Sequence, residues 1–167
     1  MMTRRHLLLS FALACVAGCG NTAPRALVRG EDSCAYCRMT IDDVRFGVLV
    51  LTDRGRLQTF DAIECAASWL AAQDAAHAPR AIWVANFADP SQWVDATKAV
   101  YLQGSRLRSP MGRDLVAFAA DADADALQRA HGGTAITWLR VQEIVAMAAA
   151  PIASSPNTPE SPDAHAH

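Results

Sequence analysis

The order strand, turn, strand, helix, strand occurs twice along this chain, and that recurrence restricts the fold more than any other feature of the sequence. Residues 46–51 (Phe-Gly-Val-Leu-Val-Leu) form a short apolar run, Thr52-Asp53-Arg54-Gly55 carries turn residues, and 56–60 alternates, so a β-hairpin is expected. Asp61, with Glu64 three residues on, reads as a helix start with an acceptor at the cap and a carboxylate at the third helical position. Ile63, Ala66, Ala67 and Leu70 then recur at the spacing of one helix face. Residues 81–87 read as the next strand, ended by Asp89-Pro90. In the second half, 99–103 and Arg106-Leu107-Arg108-Ser109 bracket a Gly104-Ser105 turn and lead into a helix expected near Arg113. A Gly132-Gly133 turn precedes a closing strand over 135–138, and 140–149 reads as a final helix. Arg56-Leu57-Gln58-Thr59 and Arg106-Leu107-Arg108-Ser109 are the same Arg-Leu-polar-hydroxyl tetrad, fifty residues apart. The expected fold class is α+β: two related ββαβ units packed as one compact domain, with antiparallel sheets and helices on one side.

The flanks of that domain are of a different kind. Met1-Met2-Thr3-Arg4-Arg5-His6 precedes a mostly apolar run from Leu7 to Ala17, the charge-then-apolar order of an export signal. Val16-Ala17-Gly18-Cys19 resembles a bacterial lipobox, which implies a signal peptide over 1–18 and diacylglycerol on the Cys19 sulfur. An ordinary secretory signal is the alternative, and Arg4-Arg5 also resembles a twin-arginine signal. Residues 19–30 then read as a tether, 31–150 as the folded domain, and the proline-rich 151–167 as a disordered tail with almost nothing to bury. The hydrophobic content of 51% overstates the core, because much of it is alanine. Fifteen basic against 17 acidic residues, with no basic stripe, argues against a nucleic-acid partner. No apolar run is long enough for an ordinary membrane-spanning helix.

Chemistry concentrates in Glu31-Asp32-Ser33-Cys34-Ala35-Tyr36-Cys37-Arg38-Met39, where two thiols and a thioether fall within six residues. Soft sulfur donors select Cu(I), zinc or iron–sulfur clusters over hard cations. Structural zinc wants four ligands, and no second Cys or His pair lies in the folded region, where Cys65, His77 and His131 stand apart in sequence. Methionine favours Cu(I), which is also content with two or three ligands. The same Cys-x-x-Cys is open to two further readings, a local Cys34–Cys37 disulfide and a thioredoxin-like redox pair. The redox motif opens a helix after a strand, whereas this one precedes the first strand with no helical pattern. Met111, between Pro110 and Gly112, sits on a constrained turn poorly placed for helical packing; the alternative is a side chain filling a gap under that turn. Cys65 reads as a buried small hydrophobe and His131 as a partly exposed residue beside the Gly-Gly turn, each with metal ligation as its second reading. No Ser-His-Asp set, phosphate-binding glycine loop or placed carboxylate pair is present, so no enzymatic activity is expected.

Glu-x-x-Cys34-x-x-Cys37-x-Met39, Phe60-Asp61-x-x-x-Cys65, Trp93-Val94-Asp95-Ala96-x-x-Ala99-x-Tyr101, Pro110-Met111-Gly112 and Gly132-Gly133 together resemble the NosL family, copper-binding lipoproteins accessory to nitrous oxide reductase. The resemblance spans about 31–145 and implies two related ββαβ units, agreeing with the internal recurrence. It also implies Cu(I) as cargo, delivery to the copper centres of nitrous oxide reductase, and an ABC-type assembly complex as partner. The ligands it implies are Cys37, Met39 and Met111, with Cys34; which thiol binds is open, as are copper stoichiometry and the third ligand. Lipid on Cys19 would place the domain on the periplasmic face of a membrane, and Gly20 after it favours the outer one. The competing classes are an extracytoplasmic thiol-disulfide or organomercurial-type sulfur enzyme, and a structural lipoprotein stapled by Cys34–Cys37.

Overall fold

Four apolar residues in a row, Val48–Leu51, form a strand (β1) buried along its whole length and central in its sheet in the computed structural model, which describes residues 23–149. β2 (Leu57–Phe60) lies antiparallel on one side, with Val48 opposite Phe60, and β3 (Ala81–Asn86) antiparallel on the other, with Val48 opposite Val84. β4 (Asp89–Asp95) completes the order β2-β1-β3-β4. The second sheet repeats the scheme: β5 (Val100–Gln103) is central between β6 (Val116–Phe118) and β7 (Thr134–Ile136). Helices α1 (Ile63–Ala71) and α2 (Ala124–His131) occupy equivalent places, each between the second and third strands of its unit. α3 (Trp138–Ala149) packs on α1, burying Trp138, Val141 and Val145. Phe60, Ile63, Tyr101 and Leu115 join both units in one core, and Phe46, Leu102, Val116 and Phe118 form a smaller cluster.

The two ββαβ units stand as expected, but the tetrads do not correspond. Arg56–Thr59 enters β2, whereas Arg106–Ser109 lies in the loop between β5 and β6. No helix begins near Arg113; Pro110, Gly112 (φ 74°) and a left-handed Asp114 (φ 54°) break the chain there, and 116–118 is a strand. The run Leu115-Val116-Ala117-Phe118 is ambiguous by periodicity, and burial of every one of its side chains decides for β. The helix begins eleven residues later, where Asp123 caps α2 by accepting from the backbone N–H groups of Asp125 and Ala126. β4 is a further difference: Asp89-Pro90 does not end the sheet but turns the chain into an edge strand carrying Trp93 and Val94. The chain is also pinned sooner than its composition implies. Arg25 pairs with Asp32 at 2.6 and 2.8 Å, and Leu27 fills the space beside Gly47. The signal peptide, Cys19 and the tail fall outside the described residues, and among those described no helix is long and apolar enough to cross a membrane.

Gly133 makes the turn into β7 possible. Its φ is +79°, and a Cβ there would lie 2.5 Å from the Gln103 carbonyl oxygen and 2.8 Å from the Ser105 nitrogen. Gly104 has a similar φ of +66° but open space around it. Gly104→Ala should therefore cost only the backbone penalty, about 1 kcal/mol, while Gly133→Ala costs about 2 kcal/mol or more, as read by urea unfolding.

Candidate metal centre

The segment carrying Cys34 and Cys37 is a tight knuckle. The Cys34 N–H donates to the Met39 carbonyl (2.8 Å), the Arg38 N–H donates to the Cys34 carbonyl (3.0 Å), and Ser33 pairs with Thr40. Arg38 takes a left-handed φ of 68° to reverse the chain. Thr59 on the outer edge of β2 holds the knuckle twice: its carbonyl accepts from the Ala35 N–H at 2.8 Å and its hydroxyl donates to the Ser33 carbonyl at 2.7 Å. The β2 edge then runs straight into Asp61 and α1, so the knuckle is set against the start of the helix.

This is where the expected helix cap is overturned. The N-cap is Ala62, with no side-chain cap bond, and Asp61 turns its carboxylate inward to accept from the Cys37 thiol at 3.5 Å. Cys65, in the first turn of α1, points the same way. Sulfur atoms of Cys34, Cys37 and Cys65 and a carboxylate oxygen of Asp61 all lie within 4.8 Å of one another. Cys34 and Cys65 are buried (1% exposed each), Asp61 is buried, and Cys37 is half-buried. All three thiols are free, and the pair sits on the knuckle rather than at a helix start. Among the described residues, Asp61 Oδ1 has no hydrogen-bond partner.

Glu64, expected at the cap as well, is buried and reaches into the second unit. One of its oxygens accepts from the Ser109 hydroxyl and, at 3.2 Å, from the Arg113 N–H; Ser109 Oγ in turn accepts from the Asp114 N–H at 3.0 Å. Burial pushes the Glu64 carboxyl above its ordinary value, against the opposing effect of those donors. The loop 109–114, further held by the Arg108–Asp114 ion pair, thus carries Met111 to α1. Met111, Tyr36, Glu64, Cys65, Ser68 and Arg113 line one open cavity of about 190 Å³.

The expected sites therefore sort by place. Cys34 and Cys37 converge, Cys65 joins them, Met111 shares a cavity with Cys65, and Met39 lies on the knuckle with its side chain 62% exposed. His131 lies elsewhere, at the end of α2, stacked on Phe118 with ring centroids 5.8 Å apart. Asp61 is the residue that sequence reasoning missed. Its signal was present in Asp61-x-x-x-Cys65, a spacing that sets both side chains on one side of the α1 start.

Such an arrangement offers soft donors: thiols gathered in a half-sealed pocket, a thioether lining the neighbouring cavity and another on the knuckle. The NosL family profile matches residues 25–146, and the chain belongs to the NosL family. Over 71 residues, 42% of this chain, it is 34% identical to the copper-binding lipoprotein NosL of Stutzerimonas stutzeri, of whose length that match spans 36%. Its fold is that of the copper chaperone NosL from Shewanella denitrificans, with a TM-score of 0.57, 20% identity, and 68% of this chain and 92% of that one covered. Neither relative bears the name of an enzyme.

The thiols are not equivalent. Cys34 is lowered to about 6, chiefly because the Cys65 thiol donates to it; burial opposes, and the Asp61 and Cys37 backbone N–H groups assist. Cys65, the donor in that pair, is raised accordingly, and Cys37 is raised by burial. Being lowered, Cys34 holds its proton below about pH 6 and is a thiolate above it. Ultraviolet thiolate absorbance of the metal-free, reduced protein should grow by one thiolate through about pH 6, and Cys65→Ala should move that step toward the ordinary thiol range.

Proposed function

We propose that this protein is a membrane-anchored Cu(I) carrier that supplies copper to the centres of nitrous oxide reductase. The observation that carries the reading is the convergence of three thiols, two of them buried, with an exposed methionine on the same knuckle and another lining the cavity that Cys65 lines. The S. stutzeri and S. denitrificans relatives, named as copper-binding and copper chaperone proteins, support copper as the cargo. Cys34 supplies a thiolate without first losing a proton near neutral pH, and Cys37 supplies a second sulfur from the rim of the pocket. Met39 and Met111 offer neutral thioethers, which suit a d10 monocation and release it without taking up a proton. An acceptor protein can place its own ligand on copper from the exposed side before the thiols let go, so the ion is never free. Cys65 keeps Cys34 ionised, and Asp61 orients Cys37.

Diacylglycerol on Cys19 would tether the carrier to the periplasmic face of the outer membrane, raising its local concentration for an ABC-type assembly complex and for the reductase. His131, stacked on Phe118, has no part in this site.

Anaerobic titration of the reduced protein with Cu(I) against a chelator tests the reading. Cys34→Ser should lower Cu(I) affinity by about a hundredfold and Met111→Leu by about tenfold, within the range that loss of a metal-site partner produces. Equal affinity in both variants and the parent overturns the assignment. A second measurement separates carriage from mere storage: copper-loaded protein should restore the copper-centre absorbance of metal-free nitrous oxide reductase when the assembly complex is present, and Met39→Leu with Met111→Leu should slow that transfer.

A further inference from the structure

At the end of α1 away from the thiols, the β1–β2 turn and the helix C-terminus enclose an open cavity of about 280 Å³, lined by Arg54, Arg56 and the half-buried Trp69. Through shared His77 and Pro79 it continues into a second cavity of about 200 Å³, where Leu70 and Ile82 give an apolar wall and Gln142 belongs to α3. We propose that this two-part cleft is the docking site of the chain's own residues 156–163, Pro-Asn-Thr-Pro-Glu-Ser-Pro-Asp, bound as a polyproline II strand.

Three observations support this. The first is charge. Among the described residues neither Arg54 nor Arg56 makes an ion pair, and Arg80 joins them, its Nη1 3.7 Å from where a Cβ on Gly55 would stand. The acid on that turn is already engaged: Asp53 accepts from the Arg54 N–H at 2.9 Å and pairs with His77 Nδ1 at 2.7 Å. Asp74, on the other side of the cleft, accepts from the Ala76 N–H. Residues 150–167 carry Glu160 and Asp163 but no lysine or arginine, and so complement the unpaired guanidiniums. The second is period. Pro156, Pro159 and Pro162 recur every third residue, which in a polyproline II helix sets them on one face; Glu160 and Asp163 are also three apart and share another. One face thus suits Trp69, Leu70 and Ile82, and the next suits the arginines. The third is reach. α3 ends at Ala149, and the seven residues on to Pro156 span about 22 Å when extended, whereas Gln142 lies about 10 Å back along the helix. A linker so short gives an effective concentration of about 1 mM, so a segment that binds as a free peptide with a Kd of about 0.1 mM is docked in about nine molecules of ten.

The inference stands apart from the copper reading, because the cleft and Cys65 lie at opposite ends of α1. The ¹⁵N-labelled full chain tests it by NMR. Amides of Asn157, Thr158, Glu160, Ser161 and Asp163 should show the restrained fast motion of the folded domain, and raising salt from about 50 to about 500 mM should loosen them. Glu160→Lys with Asp163→Lys, changes outside the folded domain, should free those amides and shift the Trp69 indole N–H and the amides of Arg54 and Arg56. Arg54→Glu with Arg56→Glu should free the segment equally, and combining it with Glu160→Arg and Asp163→Arg should restore the restraint. That rescue is one a merely misfolded variant would not give. Parent amides as mobile as those of the free peptide, restraint that survives either charge reversal, or a Trp69 indole indifferent to the Lys variant overturns the proposal. Restraint that grows with protein concentration overturns it too, and assigns the segment to the cleft of a second copy.

Discussion

Glu64 is the contact on which the site depends. It sits in the first turn of α1, in the first ββαβ unit, and bonds Ser109 and the Arg113 backbone in the second. Burying a carboxylate costs several kcal/mol, and each hydrogen bond to it returns about 1.5–3, so the arrangement gains little stability. What it fixes is position. The 109–114 segment has a proline, two left-handed residues and no place in either sheet, and without a partner on α1 nothing would hold it beside Cys65. The neighbouring carboxyl, Asp61, is spent on Cys37 in the same way. Two acids that could have capped a helix are instead used to join three loops, and α1 starts with its backbone uncapped by any side chain.

The pocket that results has an inside and an outside with different chemistry. Inside, Cys34, Cys65 and Asp61 are nearly sealed from water, where charge is expensive. Outside, Met39 and Met111 present thioethers to solvent, where an incoming protein can meet them. Charge and burial run together along this axis: the ionisable donors are inside and the neutral ones outside. The donors at the open end are neutral thioethers, which carry no proton.

Much of this was legible in the sequence, and the failures have a common cause. The β1–β2 hairpin, the Gly132-Gly133 turn and the Cys34-x-x-Cys37 knuckle were visible because their signals are local: apolar runs, positive-φ glycines, sulfur spacing. Asp61 and Glu64 misled because their spacing satisfies a local rule, the capping box, that tertiary contacts override. The run at 115–118 misled because four apolar residues have no period, and only burial against β5 makes them a strand. The edge strand β4 misled because Asp89-Pro90 reads as a stop, although proline is acceptable on a strand with one side unpaired. Cys65 is the instructive case. On its own it looked like packing, and it became part of the cluster only when the fold set α1 against a knuckle some thirty residues earlier in sequence.

The internal repeat also bears on why, among the described residues, the doubled fold gathers thiols at one corner. In each unit the second strand runs toward a helix, so each has a corner of the kind that Asp61 and Cys65 occupy. At the second corner the chain reads Ala119-Ala120-Asp121-Ala122-Asp123, which offers no sulfur, and Asp123 is committed to capping α2. The hairpin loops diverge correspondingly. Between β1 and β2 the chain crosses in a tight turn at 52–56, whereas between β5 and β6 it spends residues 104–115. That longer loop reaches back to the first unit and brings Met111 with it. Among the described residues the second unit thus has no thiol cluster of its own; it contributes one arm to the first, and the buried Glu64–Ser109 contact is where that arm is fastened.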